Sequence, residues 1–152
     1  MRLFFILTSF FLTACSTTVS FFPVSGPLVE SKQNQPIIAK AEGILGNTGK
    51  ISLTLPSSEV CVGKWSSVAP TVATATMGVG SLSISNNMAS AWGTVYGTGF
   101  SVGNAASVNR GEAMLVCNNG TTIQVEFFTG SGTANGYGVA KDSNGNFYKI
   151  LM

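Results

Sequence analysis

Apolar and polar residues alternate on both sides of short polar turns, and this pattern constrains the fold more than any other feature of the chain. The clearest case is residues 112–127, which surround the turn Asn118-Asn119-Gly120. One face of this segment carries only apolar residues: Ala113, Leu115, Cys117, Ile123, Val125 and Phe127. A period of two is typical of a strand, and Asn-Gly between two such runs is the strongest short-range signal for a hairpin. We therefore predict a β-hairpin over 112–127.

Two further segments predict hairpins in the same way. Residues 51–55 alternate, turn at Pro56-Ser57-Ser58-Glu59 and return as 60–62. We expect Leu55 to pair with Val60 and Leu53 with Val62, which gives this hairpin one apolar face. Residues 137–141, a polar turn at 142–146 and residues 147–151 predict the third hairpin.

Composition agrees with an all-β chain, because glycine is abundant (18 residues) and only 9% of the residues are charged. We predict a small antiparallel sandwich or barrel built from hairpins, with an extended N-terminal tether. Residues 66–109 are rich in Ala, Ser, Thr and Gly, which fits either a mobile insertion or small strands of the same sheet. We favour small strands, at 81–84, 94–96 and 99–102. Residues 88–92 fit either a short helix or the start of a strand.

The N-terminus has the pattern of a processing signal. Met1-Arg2 is followed by an almost wholly apolar run of about ten residues, Leu3 to Leu12, well short of the ~20 that span a bilayer as a helix. The run ends in Leu12-Thr13-Ala14-Cys15, which resembles the lipobox of a bacterial lipoprotein precursor. The resemblance implies that residues 1–14 are removed and that Cys15 carries the lipid. An ordinary signal peptide with a chance Cys15 at its cleavage site is the alternative.

The resemblance also implies a location. The residue after Cys15 is Ser16, not Asp, which in lipoproteins of enterobacterial type resembles the default pattern for export to the outer membrane. We therefore expect a protein anchored by acyl chains in the cell envelope, most simply in the outer membrane and facing the periplasm. Two or three acyl chains would anchor it firmly, because each buried methylene adds about 0.8 kcal/mol.

The expected organisation is a signal peptide (1–14), a lipid-anchored tether and docking segment (15–40) and a single β domain (41–152). Three of the five prolines fall before residue 41. We expect Ser16–Ser20 to be a flexible linker. The apolar Phe21–Val24 is expected to dock on the domain as an edge strand, where Pro23 is tolerated.

Cys61 and Cys117 are the remaining cysteines, and both lie in predicted strands beside turns. Exported proteins meet an oxidising compartment, so we predict a disulfide between them; two buried free thiols are the alternative. Two thiols without a histidine do not complete a tetrahedral zinc site, so no metal is predicted.

The net charge and the missing residue types argue against several classes of function. A net charge of +2 is too small for a nucleic-acid-binding surface. The chain has no histidine, the commonest general base, and no Gly-x-Ser-x-Gly elbow. A carboxylate-dependent hydrolase would need two facing carboxylates. Its candidates are Glu59, at a turn, and Glu112 and Glu126, on the polar face of a hairpin, all expected to be solvated.

Two other motifs favour structural interpretations. Asp142–Asn146 resembles the opening of a calcium loop, but Phe147 stands where that loop needs glycine, so we predict a plain turn. An aromatic set could present a stacking surface for a glycan, although packing within the fold is the favoured interpretation. That set is Trp65, Trp92, Tyr96, Tyr137 and Tyr148.

Together these patterns predict a membrane-anchored envelope lipoprotein with a non-enzymatic structural or binding role and no cofactor. Its expected partners are the membrane, through Cys15, and an envelope protein or glycan. A periplasmic hydrolase acting on cell-wall or glycan material and a surface-exposed adhesin-like module remain as alternatives.

Overall fold

Eight antiparallel strands close into a barrel in the computed structural model, which describes residues 15–68, 88–97, 108–130 and 132–152. Each strand pairs with the next along the chain, and the last pairs with the first. The strands are β1 (Ser16–Ser25), β2 (Ile37–Glu42), β3 (Thr48–Thr54), β4 (Val60–Val68), β5 (Val108–Cys117), β6 (Thr122–Gly130), β7 (Gly136–Asp142) and β8 (Phe147–Leu151). The all-β prediction is confirmed, and the architecture is a barrel, in which closure gives each of these strands two neighbours.

Alternating side chains fill the inside of the barrel. β2 shows the pattern well, since Ile37, Ala39 and Ala41 are buried while Ile38 and Lys40 are exposed. Phe21 of β1 packs edge-on against Tyr148 of β8 across the junction that closes the barrel. The interior cluster comprises Val19, Phe21, Ile37, Ala39, Ala41, Ile51, Leu53, Leu55, Cys61, Ala113, Leu115, Cys117, Ile123, Val125, Phe127, Ala140, Tyr148 and Ile150.

Two of the three predicted hairpins are confirmed with their turns. In β5–β6, Ala113 pairs with Val125 and Leu115 with Ile123, and all four side chains face the interior. Gly120 has φ +92° in the turn, a conformation that favours glycine. In β7–β8, Lys141 pairs with Phe147 across the predicted turn.

The hairpin predicted over residues 51–62 forms as β3–β4, but its predicted register is wrong by one residue. Leu53 pairs with Cys61, not with Val62. The connecting loop is fixed by the hydrogen bond from the N–H of Leu55 to the carbonyl of Glu59, with Ser58 at φ +68°. A one-residue shift moves every side chain to the opposite face. Val62 is therefore 60% exposed on the outside of the barrel.

The N-terminal expectation also needs correction. Ser16–Ser20, expected to be a flexible linker, is the first half of β1 and pairs with β2, and Ser20 also pairs with Leu151 of β8. Phe21–Val24 is a strand, as predicted: Phe21 pairs with both β2 and β8, and Phe22 and Pro23 pair with β8 only. Val19 and Phe21 explain the strand, since both side chains enter the core. The predicted signal peptide, residues 1–14, lies outside the described residues.

A short helix, α2 (Ala89–Tyr96), packs on the outside of β7 and β8 and reaches β1. The helical alternative for residues 88–92 is thus confirmed, and the strand predicted at 94–96 is wrong because those residues complete the helix. Trp92 anchors α2 in a second apolar cluster, with Met88, Ala91, Phe128 and Val139. The strands predicted at 81–84 and 99–102 lie outside the described residues.

The two ends of the barrel differ in what they carry. The Cys15 end holds the start of β1, the β2–β3 turn and the end of β8. The opposite end, which we call the mouth, holds the β3–β4, β5–β6 and β7–β8 turns and a four-residue helix, α1 (Pro27–Glu30). A cavity lies at the mouth.

Candidate functional site

Helix α1 is held across the mouth of the barrel by the β7–β8 turn. Gly26 precedes it at φ +105°, where any side chain would collide with the backbone of Gly145 and Asn146. The N–H of Leu28 donates to the Asn146 side-chain oxygen at 2.8 Å. The Leu28 side chain packs against the interior cluster, so α1 covers part of the barrel end.

Asp142 organises the turn that holds α1. Its Oδ1 accepts the N–H groups of Asn144 and Asn146, each at 2.9 Å. Its Oδ2 accepts the Asn146 side-chain amide at 2.8 Å and the Tyr148 hydroxyl at 2.7 Å. Four donors therefore satisfy this buried carboxylate, and the turn predicted for 142–146 is confirmed. Burial, and then the hydrogen bond to Asp142, raise the pKa of Tyr148 well above its ordinary value of 10.

Between α1, the β3–β4 turn and the β7–β8 turn lies a cavity of about 410 Å³. Its walls mix apolar and polar groups, and no Lys or Arg is among them. They are Pro27, Leu28, Ser31, Gln33, Leu55, Pro56, Ser57, Glu59, Asp142, Asn144, Asn146 and Tyr148. Small-molecule sites in β-barrels occur preferentially at such mouths, and this volume lies in their usual range.

Glu59 is the unusual group in this cavity. It was expected to be solvated at its turn, yet only 8% of the residue is exposed. Its Oε1 accepts the Ser57 hydroxyl at 3.0 Å, but its Oε2 is buried without a hydrogen-bond partner. The turn geometry explains the burial, since Glu59 lies two residues before the inward-facing Cys61 and continues the same face.

The other two candidate carboxylates lie side by side, and they differ in burial: Glu112 is exposed, as expected, and Glu126 is buried. Glu112 and Glu126 are directly opposite each other on β5 and β6, on the outer surface of the barrel. Arg110 links them, through its Nε to Glu126 at 2.6 Å and its Nη2 to Glu112 at 2.5 Å. Trp92 of α2 covers Glu126 and donates its indole N–H at 2.9 Å. The solvated position expected for Glu126 is therefore wrong, because α2 buries it completely.

The packing interpretation of the aromatic set is confirmed. Trp92 stacks on Tyr96 and contacts Tyr137 edge-on, between α2 and β7. Trp65 contacts Phe127 inside the barrel, and its indole N–H donates to the carbonyl of Glu42 at 2.9 Å. These rings therefore join elements of the fold.

The predicted disulfide is confirmed. Cys61 and Cys117 form a disulfide between directly opposed positions of β4 and β5. Cys15 is a free, exposed residue that directly precedes β1, at the end of the barrel opposite the mouth. Within the described ranges, no group of three or more Cys, Asp or Glu side chains is arranged to hold a metal ion.

Sequence reasoning named Glu59, the Asp142–Asn146 turn and Tyr148 separately but did not predict that they line one cavity. Leu28, Asn146 and Tyr148 come from two distant segments that meet only when the barrel closes. Pro27 directly after Gly26 was a usable signal for α1, because proline is favoured at the first position of a helix. The sequence offers no comparable signal for the closing pair β1–β8.

Comparison with known proteins found no matching family model, no matching curated protein and no matching solved structure. Among the described helices, neither combines the length and the apolar character needed to cross a membrane.

Proposed function

We propose that this chain is a lipid-anchored protein of the bacterial cell envelope, held at Cys15, whose role is to bind a ligand at the barrel mouth. The observation that carries the proposal is the position of Cys15, exposed and immediately before β1. Acyl chains on this residue would leave the barrel at the end opposite the cavity. A ten-residue strand is about 33 Å long, so the cavity would stand well clear of the membrane surface.

Binding is favoured over hydrolysis by the state of the carboxylates at the cavity. A hydrolase of the two-carboxylate type needs a second acidic group that is able to exchange a proton. Asp142 would have to give up hydrogen bonds from Asn144, Asn146 and Tyr148 to serve in this way. Those bonds hold the turn on which α1 rests, so recruiting Asp142 would disturb the cavity itself.

The anchor is tested by metabolic labelling with a palmitate analogue, followed by cell fractionation. We expect the wild type to take up label and to sediment with the outer membrane, and Cys15→Ala to take up none. The double variant Cys61→Ala/Cys117→Ala is the matched control, because it removes two cysteines and leaves Cys15 in place. Label in Cys15→Ala, or its absence from the wild type, contradicts the anchor.

Protease treatment of intact cells addresses the direction in which the barrel faces. A periplasmic barrel is protected until the outer membrane is permeabilised. Digestion in intact cells would instead support the surface-exposed, adhesin-like alternative.

A further inference from the structure

The Oε2 atom of Glu59 is a buried carboxylate oxygen with no hydrogen-bond partner in the described structure. Buried acidic groups are ordinarily paired, because removing a charge from water without a compensating contact is strongly unfavourable. The Ser57 hydroxyl bonds the other oxygen, Oε1. Glu59 therefore has an unused site for a hydrogen-bond donor or a positive charge, in a residue that lines the cavity at the mouth.

The remaining walls indicate what kind of group would complete this site. Leu28, Leu55 and Pro56 give the cavity an apolar side. The Asp142 carboxylate adds negative charge to the lining, although its own oxygens are already occupied. Because Lys and Arg are absent from the lining, the negative charge of Glu59 has no counter-charge within it.

We propose that the cavity binds a small organic cation, a primary ammonium group carried on a short apolar body. The ammonium donates to Oε2 of Glu59, and the apolar body packs on Leu28, Leu55 and Pro56. The inference rests on the proposed binding role and specifies its ligand class. A volume of about 410 Å³ suits such a molecule and greatly exceeds what a bare ion needs.

A divalent metal fits the site less well. Calcium takes six to eight oxygen ligands. Both oxygens of Asp142 already accept two donors each, and Oε1 of Glu59 accepts Ser57, so few lone pairs remain. A monovalent ammonium needs far fewer acceptors, because it has three N–H groups to satisfy.

A side chain of the protein itself is the other cation to consider. Lys32 lines the adjacent groove, which shares Gln33, Leu55 and Pro56 with the cavity. Lys32 is exposed and has φ +59°. If its amine were to enter the cavity, it would compete with an external ammonium for Glu59, so the experiment includes a Lys32 variant.

The experiment titrates the full-length chain, extracted in detergent, with n-butylammonium chloride, and follows binding by calorimetry. Three matched probes are 1-butanol, which lacks the charge, sodium butyrate, which reverses it, and calcium chloride. We expect butylammonium to bind saturably and 1-butanol to bind at least about tenfold more weakly, since tenfold corresponds to one charge-assisted hydrogen bond. We expect no Glu59-dependent binding of butyrate or calcium.

Variants test whether butylammonium binding depends on the Glu59 carboxylate or only on the overall negative charge of the protein. Glu59→Gln keeps the shape and the bond from Ser57 but removes the charge, and we expect it to weaken butylammonium binding at least about tenfold. Glu30→Gln is the matched control, since it removes an exposed carboxylate of α1 that is not part of the lining, and should change binding less than about twofold. Should Glu59→Gln fail to fold, Ser31→Trp fills the cavity from its exposed rim, leaves Glu59 in place and should abolish binding.

Several outcomes would overturn the proposal. These are equal binding of butylammonium and 1-butanol, binding unchanged in Glu59→Gln, and calcium binding that depends on Glu59. Binding that appears only in Lys32→Met would identify Lys32 as the natural occupant and would equally overturn it. Absence of lipid label from the wild type, or label in Cys15→Ala, would refute the anchor while leaving these titrations interpretable.

Discussion

Tyr148 and Asp142 are joined inside the barrel by a hydrogen bond of 2.7 Å. The hydroxyl is the donor, so the bond exists only while Tyr148 keeps its proton. Burial disfavours the charged phenolate first, and the neighbouring Asp142 charge disfavours it further. The pKa of Tyr148 is raised for both reasons, and its protonation is thereby coupled to the stability of the fold.

The coupling predicts a loss of stability at alkaline pH. Below pH 10 the Tyr148 hydroxyl is protonated in both the folded and unfolded chains, and its contribution is fully present. Above pH 10 only the unfolded chain releases the proton, so the free energy of unfolding falls by up to about 1.4 kcal/mol per pH unit, until the pH passes the raised folded pKa. Urea unfolding of the wild type and Tyr148→Phe between pH 7 and pH 11 measures this loss.

The phenylalanine variant isolates Tyr148 from the other groups that titrate in this range, including Tyr96, whose pKa burial also raises. Tyr148→Phe should be less stable at pH 7 by about 1–3 kcal/mol, because a buried carboxylate loses a donor. Above pH 10 the free energy of unfolding of Tyr148→Phe should fall less steeply with pH than that of the wild type, by up to about 1.4 kcal/mol per pH unit, the effect of one proton. Parallel slopes in the two proteins would show that Tyr148 does not titrate as argued.

At the scale of elements, the Trp92 hydrogen bond to Glu126 attaches α2 to the barrel from within an apolar cluster. Trp92 packs on Phe128 at 5.4 Å between ring centroids and donates to Glu126 at 2.9 Å. Arg110 balances the charge of Glu126 from the neighbouring strand. A buried ion pair by itself adds little net stability, although breaking it is strongly unfavourable. We infer that the Trp92–Glu126 bond fixes where α2 sits more than it stabilises the barrel.

We expect Trp92→Phe to loosen α2 selectively. The substitution keeps an aromatic ring but removes the N–H that bonds Glu126, which should lower the free energy of unfolding by about 1–3 kcal/mol. Hydrogen exchange should rise at the Trp92 and Gly97 amides, which bond within α2, and stay unchanged in β2 and β3. Trp65→Phe is the matched control, since its indole bonds a neutral backbone carbonyl inside the barrel. Equal exchange of α2 in the wild type and Trp92→Phe would contradict this role.

The elements also show how far the sequence could predict this structure. Asn119-Gly120 identified the β5–β6 hairpin, and alternation then predicted its buried face, because the turn type fixes the register. Pro56–Ser58 marked a turn too, but composition did not fix how many residues it contains, so the pairing of Leu53 was wrong by one. Glu59 was identified as a candidate, whereas its burial was not, because the groups that cover it are distant in sequence.

For the whole molecule, most strand pairs join strands that lie close together along the chain. Two pairs join strands that are far apart in sequence. One is β1–β8, which closes the barrel and brings Phe21 to Tyr148. The other is β4–β5, where residues 69–107 separate the paired strands. The Cys61–Cys117 disulfide spans this second junction with a sequence separation of 56 residues. It lies at the mouth ends of β4 and β5, close to Glu59.

Reduction of the disulfide should therefore destabilise the whole barrel. A closed loop of this length is worth about 4 kcal/mol by the chain-entropy estimate, a large share of the ~5–15 kcal/mol typical of a domain. Urea unfolding monitored with and without a thiol reductant measures the loss, and Cys61→Ala/Cys117→Ala without reductant provides the control. Both should shift the unfolding midpoint in the same direction, with the oxidised wild type the most stable. An unchanged midpoint on reduction would mean that strand pairing alone closes the β4–β5 junction, since the backbone ladder from Cys61 to Val68 would then hold without the covalent link.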